Sequence, residues 1–305
     1  MIKSLRSLLF LIAVCSAALS SSGQHSLKFN TSTFDTYQDS LIRMSQEVYD
    51  AENNKTRYET NARLIKTLVN ALKHPNSFAY EFDSLKGISV MKSPDKSFRI
   101  FSWQLPLDDG SYRFFGTIQM ATADGKLKLY PLIDDTDNFK DLNQISSNKN
   151  WYGARYYEIV PVITPSKPKY YVLLGWKGNS LKTTKKVIEV LSFDKDAVVF
   201  GKNVFDGPKM AAKNRLVFEY NKMNSMTLAV DKTVNMIVYD HLAPVSPEMT
   251  GNFEYYASDL SFDAFRIAGG RLKLVENVEL KNDPNEMDEL YIDPTNKNIP
   301  TVKKL

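Results

Sequence analysis

FRIFSWQLPLDDGSYRFFGTIQM, residues 98–120, carries the pattern from which the fold is inferred. In residues 112–120 apolar side chains recur at every second position, and this two-residue period is typical of a strand with one buried face. A second apolar run occupies residues 98–105, and the loop at 106–110 separates the two runs. The stretch therefore predicts an antiparallel β-hairpin.

The same pattern recurs further along the chain. Paired strands are predicted at residues 156–163 with 170–176, 186–193 with 197–200, and 260–267 with 271–275, and a three-stranded meander is predicted at 216–220, 226–230 and 234–240. Turn residues return about every ten residues, a spacing typical of a sandwich or barrel. We predict a mainly β fold whose antiparallel sheet forms a sandwich or an open barrel. A small β-propeller is the alternative, although the hairpins show no repeat of about 40 residues.

Two helical stripes precede the strands. Apolar residues spaced three and four apart are Phe34, Tyr37, Leu41, Met44 and Val48 in the first stripe, and Tyr58, Ala62, Ile65, Val69 and Leu72 in the second. Asn53 and Asn54 separate the stripes, and Pro75 ends the second. We predict a helical hairpin within residues 24–76, a β domain over 77–280 and a polar tail over 281–305. Residues 131–150 form either a short helix or a long loop.

The first 23 residues have the layout of a secretory signal peptide. Lys3 and Arg6 precede an apolar run over residues 8–19, and small residues follow it up to Gly23. The run is shorter than the roughly 20 residues of a membrane span. Cys15, the single cysteine, lies inside this segment, so the processed chain is predicted to be free of cysteine. We predict an exported protein, periplasmic or extracellular and of bacterial origin, with no transmembrane span.

The net charge and the missing motifs argue against several classes of function. The formal net charge is +4, and loss of Lys3 and Arg6 with the signal lowers it to +2. Because so small a charge attracts polyanions weakly, no nucleic-acid partner is predicted. The sequence contains no GxSxG, Walker A, GxGxxG, HExxH or EF-hand motif. We therefore predict no cofactor, and the balance lies against an enzyme.

His241 is the one candidate acid or base. It falls at the end of a predicted strand, where an imidazole is positioned to exchange a proton. Adjacent strand residues point to opposite faces, so Asp240 does not easily orient it. A histidine that fills a half-buried gap explains the residue as well. With 35 acidic residues in the chain, no carboxylate pair for glycoside hydrolysis is singled out.

No metal site is predicted, but one acidic cluster is a weak candidate. Asp134, Asp135 and Asp137 lie close together in the sequence, and calcium binds several carboxylate oxygens at once. Aspartates also cap helices and turns, which accounts for the same cluster without a metal.

Aromatic residues suggest a binding surface. Trp176, Lys177 and Asn179 lie in GWKGN, residues 175–179, whose glycines permit a tight turn after a buried strand. Trp176, Trp151 and Trp103 are candidate platforms that stack on sugar rings or on a partner's side chains. A place in the core is the alternative for these rings, because strands favour aromatic residues in general.

Two strings carry a resemblance, YYVLLGWKGN at residues 170–179 and IVYDHL at residues 237–242. Together with the signal that ends before a glutamine and the helical hairpin, they resemble uncharacterised exported proteins of Bacteroidota-type bacteria. The resemblance implies a location in the envelope or outside the cell, and it implies no activity.

Three functions remain open. The leading hypothesis is a non-catalytic exported module that binds an envelope protein or a glycan. The second is a glycan-directed hydrolase that uses a carboxylate pair. The third is a structural subunit of an envelope assembly.

Overall fold

A computed structural model describes residues 31–165 and 167–279 of the chain. Helix α1 spans Thr31–Asp50 and helix α2 spans Asn54–Lys73, which confirms the predicted helical hairpin. The side chain of Asn53 caps α2 by accepting a hydrogen bond from the Thr56 N–H at 3.0 Å. The signal peptide, Cys15 and the polar tail lie outside the described residues. Within them, no helix combines the length and the apolar character that crossing a bilayer requires.

Fifteen strands follow in the described residues. In chain order, β1 to β15 are Ser89–Lys92, Phe98–Pro106, Tyr112–Met120, Leu129–Ile133, Ser146–Ser147, Arg155–Thr164, Lys167–Gly178, Thr183–Asp194, Ala197–Phe200, Phe205–Asp206, Leu216–Asn221, Leu228–Asp231, Met236–Pro244, Tyr256–Ala268 and Arg271–Val275. The hairpins β2–β3, β6–β7, β8–β9 and β14–β15 confirm the four strand pairs predicted from the sequence.

The strands form three sheets, which we call the first, central and outer sheets. The first has the order β1-β2-β3-β4, the central β5-β9-β8-β7-β6 and the outer β10-β15-β14-β13-β12. Strand pairs in the described residues are antiparallel except β10 with β15, which are parallel. Of the predicted meander, the pairing of β12 with β13 is confirmed, but its first strand was placed wrongly, because β11 pairs with β8 rather than with β12. There β11 covers Thr183–Ile188, the part of β8 that β9 leaves open, so the backbone groups of that edge are satisfied.

The sheets stack in layers. The helical hairpin packs on the first sheet around Phe101 and Trp103. The opposite face of that sheet, with Phe98 and Phe114, packs on the central sheet, whose other face meets the outer sheet. The central strands are therefore covered on both faces, and for this reason β7 contains an unbroken apolar run rather than an alternation. This mainly β arrangement of packed antiparallel sheets, none closed into a barrel, agrees with the predicted sandwich.

The segment over 131–150 is a loop rather than a regular helix. It begins with the end of β4 and contains one 3-10 turn at Thr136–Asn138 and the two-residue strand β5. The backbone of Trp151 closes the loop, since its N–H donates to the Ile133 carbonyl at 2.9 Å. This loop contacts both the first and the central sheet, since Asp134 accepts a hydrogen bond from the Phe114 N–H of β3 and the Thr136 hydroxyl accepts one from Lys177 of β7.

Candidate functional site

A polar groove of about 380 Å³ opens at one end of the central sheet, and we call it the terminal groove. Its walls are the turn after β7, strand β11 and the loop between β13 and β14. The groups that give it chemical character belong to Asn179, Lys182, Glu219, Asn252, Phe253 and Glu254. Three chain segments distant in sequence thus contribute to a single concave surface.

The turn that carries Asn179 is held by close packing. A Cβ atom at Gly178 would lie 2.4 Å from Cδ2 of Tyr112, so a glycine is needed where β7 passes that ring. The Thr183 N–H donates to Oγ of Ser180 at 3.1 Å and closes the turn into β8. Asn179 is thereby held at the mouth of the groove.

Glu219 is oriented by three donors. Its Oε1 accepts hydrogen bonds from Nδ2 of Asn179 at 3.0 Å and from the Thr183 hydroxyl at 2.7 Å. Its Oε2 lies 3.1 Å from Nζ of Lys185, the residue directly opposite on β8. The carboxylate is therefore fixed in position and still lines the groove, with its side chain 21% exposed.

Glu254 faces the groove from the other wall. Nζ of Lys182 lies 2.6 Å from its Oε2, and the hydrogen bond from Lys182 lowers the pKa of this carboxyl below its usual value. Nδ2 of Asn221 donates to the Glu254 carbonyl at 2.6 Å, which ties the loop to the end of β11. The groove thus presents a second carboxylate that is ionised at neutral pH.

The rim of the groove is open and partly aromatic. Gly251 has a φ of +85°, a conformation that favours glycine, and nothing lies within 4 Å of the point where its Cβ would stand. The Phe253 side chain is 40% exposed, and its ring contacts Tyr256 at a centroid distance of 5.0 Å. An exposed apolar ring therefore stands beside ionised and amide groups.

Lys177 lies two residues before Asn179 but is sealed in the interior. It is 2% exposed, and Nζ donates to the carbonyls of Tyr152 at 2.6 Å and Gly153 at 2.9 Å and to the Thr136 hydroxyl at 2.8 Å. The rings of Phe114 and Tyr152 lie 4.5 and 4.3 Å from the ammonium. All three donors of this lysine are used within the fold, so it does not offer a group to a ligand.

A buried ion pair lies beside Lys177. Nε of Arg215 is 2.8 Å from Oε2 of Glu189, and both side chains are fully buried. The Arg215 guanidinium also donates to the carbonyls of Leu142 at 2.6 Å and Gln144 at 2.8 Å. The Tyr152 ring lies 5.6 Å from this guanidinium and so stands between the two buried cations. We call Lys177, Glu189 and Arg215 with these partners the sealed network.

The three tryptophans differ in exposure. Trp103 and Trp151 are 4% and 0% exposed, and their indole N–H groups donate to Asn61 and to Tyr156, each at 2.8 Å. Because these two rings are buried, they serve the core and present no face to a ligand. Trp176 is half-buried, with its ring edge-to-face on Tyr112 at 5.3 Å. Of the three, Trp176 alone keeps a ring at the surface.

His241 has a carboxylate partner that the sequence did not reveal. Its Nδ1 lies 2.7 Å from Oδ2 of Asp259 on the adjacent strand β14, at a bulge in the β13–β14 pairing. Asp240 instead accepts a hydrogen bond from the Thr227 N–H at 2.7 Å, so it does not orient His241, as the alternation of faces predicted. The Ser261 hydroxyl donates to Asp259 at 2.6 Å, and among the described residues no hydroxyl group is hydrogen-bonded to the imidazole of His241.

The three aspartates of the acidic cluster each serve the loop over 131–150. Asp134 accepts hydrogen bonds from the N–H groups of Phe114 at 2.8 Å and Thr136 at 3.0 Å. Asp135 binds the Asn138 side chain, and Asp137 lies 2.5 Å from an Arg113 nitrogen. Within the described residues, no three acidic, histidine or cysteine side chains are grouped as a metal site requires.

Comparisons of the chain with protein-family models, with curated proteins and with solved structures found no match. The terminal groove was also not predicted in full. Asn179 was named from its place in GWKGN, but Glu219, Asn252 and Phe253 come from segments whose meeting depends on the pairing of β11 with β8.

Proposed function

We propose that this protein is an exported, non-catalytic module that binds a glycan of the cell envelope in the terminal groove. The observation that carries the proposal is the convergence of carboxylate, amide and ammonium groups with the exposed Phe253 ring in one groove. Export is supported by the signal-like residues 1–23, which also hold the single cysteine.

A glycan fits the chemistry of the groove better than an apolar ligand does. Sugar hydroxyls both donate and accept hydrogen bonds, and the groove supplies acceptors on Glu219 and Glu254 and donors on Asn252 and Lys182. The apolar face of a sugar ring needs a flat apolar surface, which Phe253 provides. A volume of about 380 Å³ lies within the range of roughly 300–1,000 Å³ that small-molecule sites occupy.

Hydrolysis is the second candidate, because Glu219 and Glu254 line the same groove. A glycosidase needs one carboxyl with a raised pKa to act as general acid. The hydrogen bond from Lys182 lowers the pKa of Glu254, which opposes that role. Burial does raise the pKa of Glu189, but this residue is fully buried against Arg215 and does not line the groove. The lowered pKa of Glu254 therefore favours binding over hydrolysis at this carboxylate.

A glycan array followed by titration tests the proposal. We expect the chain from residue 24 onward to bind an oligosaccharide, and Phe253→Ala to weaken that binding about tenfold or more through loss of ring contact. Tyr255→Ala is the matched control, since Tyr255 is also 40% exposed in the same turn but does not line the groove. Equal loss in both variants, or no binding across a broad array, would contradict the proposal. Release of reducing sugar that Glu254→Gln abolishes would instead establish the hydrolase.

A further inference from the structure

A second cavity, of about 290 Å³, opens on the other side of β7 from the terminal groove. It lies where the edge strand β1 of the first sheet packs beside the edge strand β6 of the central sheet. Ser89, Arg155, Tyr157 and Trp176 line it, and we call it the Arg155 cleft. At roughly 30 Å³ for each water, the cleft has room for about ten waters, which is the scale of one monosaccharide.

The cleft carries positive charge that is not matched by a contacting carboxylate. One Arg155 nitrogen, Nη2, donates to the Lys86 carbonyl at 2.7 Å. Lys186 lies on β8, opposite Trp176 of β7. Among the described residues, no carboxylate oxygen lies within 4.0 Å of a side-chain nitrogen of Arg155 or Lys186. Within residues 31–165 and 167–279, the bond to the Lys86 carbonyl is the one hydrogen bond that the Arg155 guanidinium makes, so its other donors are available to a ligand.

Lys186 adds to this charge from the neighbouring strand. Its ammonium lies 5.4 Å from the centroid of the Tyr157 ring. The carboxylate that acts on Lys186 is that of Asp240, which already accepts a hydrogen bond from the Thr227 N–H. Arg155, Trp176 and Lys186 are opposite one another on β6, β7 and β8, so a basic residue is paired with Trp176 on each neighbouring strand.

Two fixed rings form the walls. Trp176 is held edge-to-face by Tyr112, with ring centroids 5.3 Å apart. The Tyr157 hydroxyl donates to the Leu228 carbonyl at 2.9 Å, which anchors the second ring to the outer sheet. Because both rings are held by the fold, little side-chain freedom would be lost when a ligand binds. The cleft is therefore a preorganised combination of a guanidinium with flat apolar surfaces.

We propose that the Arg155 cleft binds a carboxylate carried on a sugar ring, the chemistry of a uronic acid. The guanidinium has the planar fork that matches a carboxylate, and the Trp176 ring offers a face to the pyranose. A simple inorganic anion would use the guanidinium and leave the aromatic walls uncovered. The inference rests on these contacts and does not require the terminal groove to bind a glycan.

Ligand-observed NMR titration of the chain from residue 24 onward, with sodium D-glucuronate, D-glucose and inorganic phosphate, tests the proposal. Glucuronate carries both a sugar ring and a negative charge, glucose carries the ring alone, and phosphate carries the charge alone. We expect glucuronate to bind about tenfold or more tightly than glucose, since a hydrogen bond to a charged group contributes about 1.5–3 kcal/mol. Equal affinity for glucuronate and glucose, or tighter binding of phosphate than of glucuronate, would overturn the assignment.

Three variants locate the binding. We expect Arg155→Gln to remove the preference for glucuronate over glucose, and Trp176→Phe to weaken glucuronate without removing that preference. Arg266→Gln is the charge-matched control, because Arg266 is exposed on β14 away from the cleft, and it should leave binding unchanged.

Thermal unfolding of each variant confirms that it folds. A folded Arg155→Gln variant that keeps the preference, or an equal loss in Arg266→Gln, contradicts the proposal. Phe253→Ala should leave glucuronate binding intact, which separates this site from the terminal groove.

Discussion

Lys177 and Asn179 are two residues apart at the end of β7, yet their side chains meet opposite environments. Lys177 points into the contact between the first and central sheets, where two carbonyls and a hydroxyl take all its donors. Asn179 uses Nδ2 on Glu219 and Thr183 and still lines an open groove. Charge or polarity alone therefore does not identify a binding residue. What matters is whether the group keeps both access and unused hydrogen-bonding capacity.

The same contrast separates the two acidic sites. Glu189 and Arg215 are completely buried and bind each other. Glu219 and Glu254 also pair with basic residues, but they do so at the wall of a groove. The sealed network therefore holds the 131–150 loop against the central sheet, whereas the terminal groove is the surface on which recognition is proposed.

The largest effect is expected from Glu189→Ala. It leaves the Arg215 guanidinium buried without its carboxylate, and breaking such a pair typically destabilises a protein by about 3–5 kcal/mol. Urea denaturation followed by circular dichroism measures the change. Glu254→Ala is the comparison at the groove, where the partner Lys182 is exposed and should lose little stability. Similar losses in the free energy of unfolding from the two variants would show that the sealed network contributes no more to stability than the exposed pair at the groove.

Lys177→Met should change the pH dependence of stability. Burial lowers the pKa of Lys177 to about 7, whereas the unfolded lysine keeps a pKa near its usual value of about 10.4. Between these values the unfolded state holds more protons, so the wild-type free energy of unfolding gains a positive contribution as the pH rises from about 7 to 10. We expect this rise to flatten in Lys177→Met, as measured by urea denaturation across that range. Identical slopes in both proteins would contradict the burial argument.

A smaller effect is expected at the exposed pair of Asp259 and His241. Hydrogen bonds from Ser261, and then from His241, lower the pKa of Asp259 to about 2. A lowered carboxyl pKa stabilises the fold above the unfolded value near 4, and this contribution is lost as the pH falls through about 2. Because the pair is exposed, Asp259→Asn should cost less than about 1 kcal/mol at pH 5 and clearly less than that at pH 2, where the carboxyl is partly protonated in the folded state. Thermal unfolding at the two pH values measures this, and an equal loss of stability at pH 5 and pH 2 would refute the linkage.

The smallest effect on stability is expected from Phe253→Ala. Its ring is 40% exposed and stands on the groove rim, so the free energy of unfolding should change by about 0.5 kcal/mol or less. Urea denaturation of Phe253→Ala beside Tyr255→Ala gives the comparison. A loss of several kcal/mol in Phe253→Ala alone would make Phe253 a core residue and weaken the division between sealed and open regions.

Patterns within one segment predicted much of the fold. Apolar runs separated by turn residues, several of them alternating, predicted four hairpins, and apolar residues spaced three and four apart predicted the two helices. The position of Lys177 was also readable, because it lies in phase with Tyr171, Leu173 and Gly175, which are all buried. Lys177 was assigned to a binding surface because it is next to Trp176 in the sequence. The alternation of side chains along the strand predicts its burial better than this adjacency does.

Patterns within one segment did not predict the contacts between segments that are distant in the sequence. The short strand β11 has no local feature that selects β8 over β12, so its pairing depended on which edge was left open. Asp259 reaches His241 only because of the bulge between β13 and β14. For the same reason the terminal groove could not be assembled from its parts, since Asn179, Glu219 and Phe253 lie in segments about 35 to 40 residues apart.

Hydrogen–deuterium exchange with and without an oligosaccharide that binds on the array tests the division of roles most directly. We expect slower exchange in peptides that cover residues 179–183 and 250–255, with no change in residues 134–153 over the sealed network. Protection confined to residues 134–153, or to the helical hairpin, with none at the terminal groove, would contradict it.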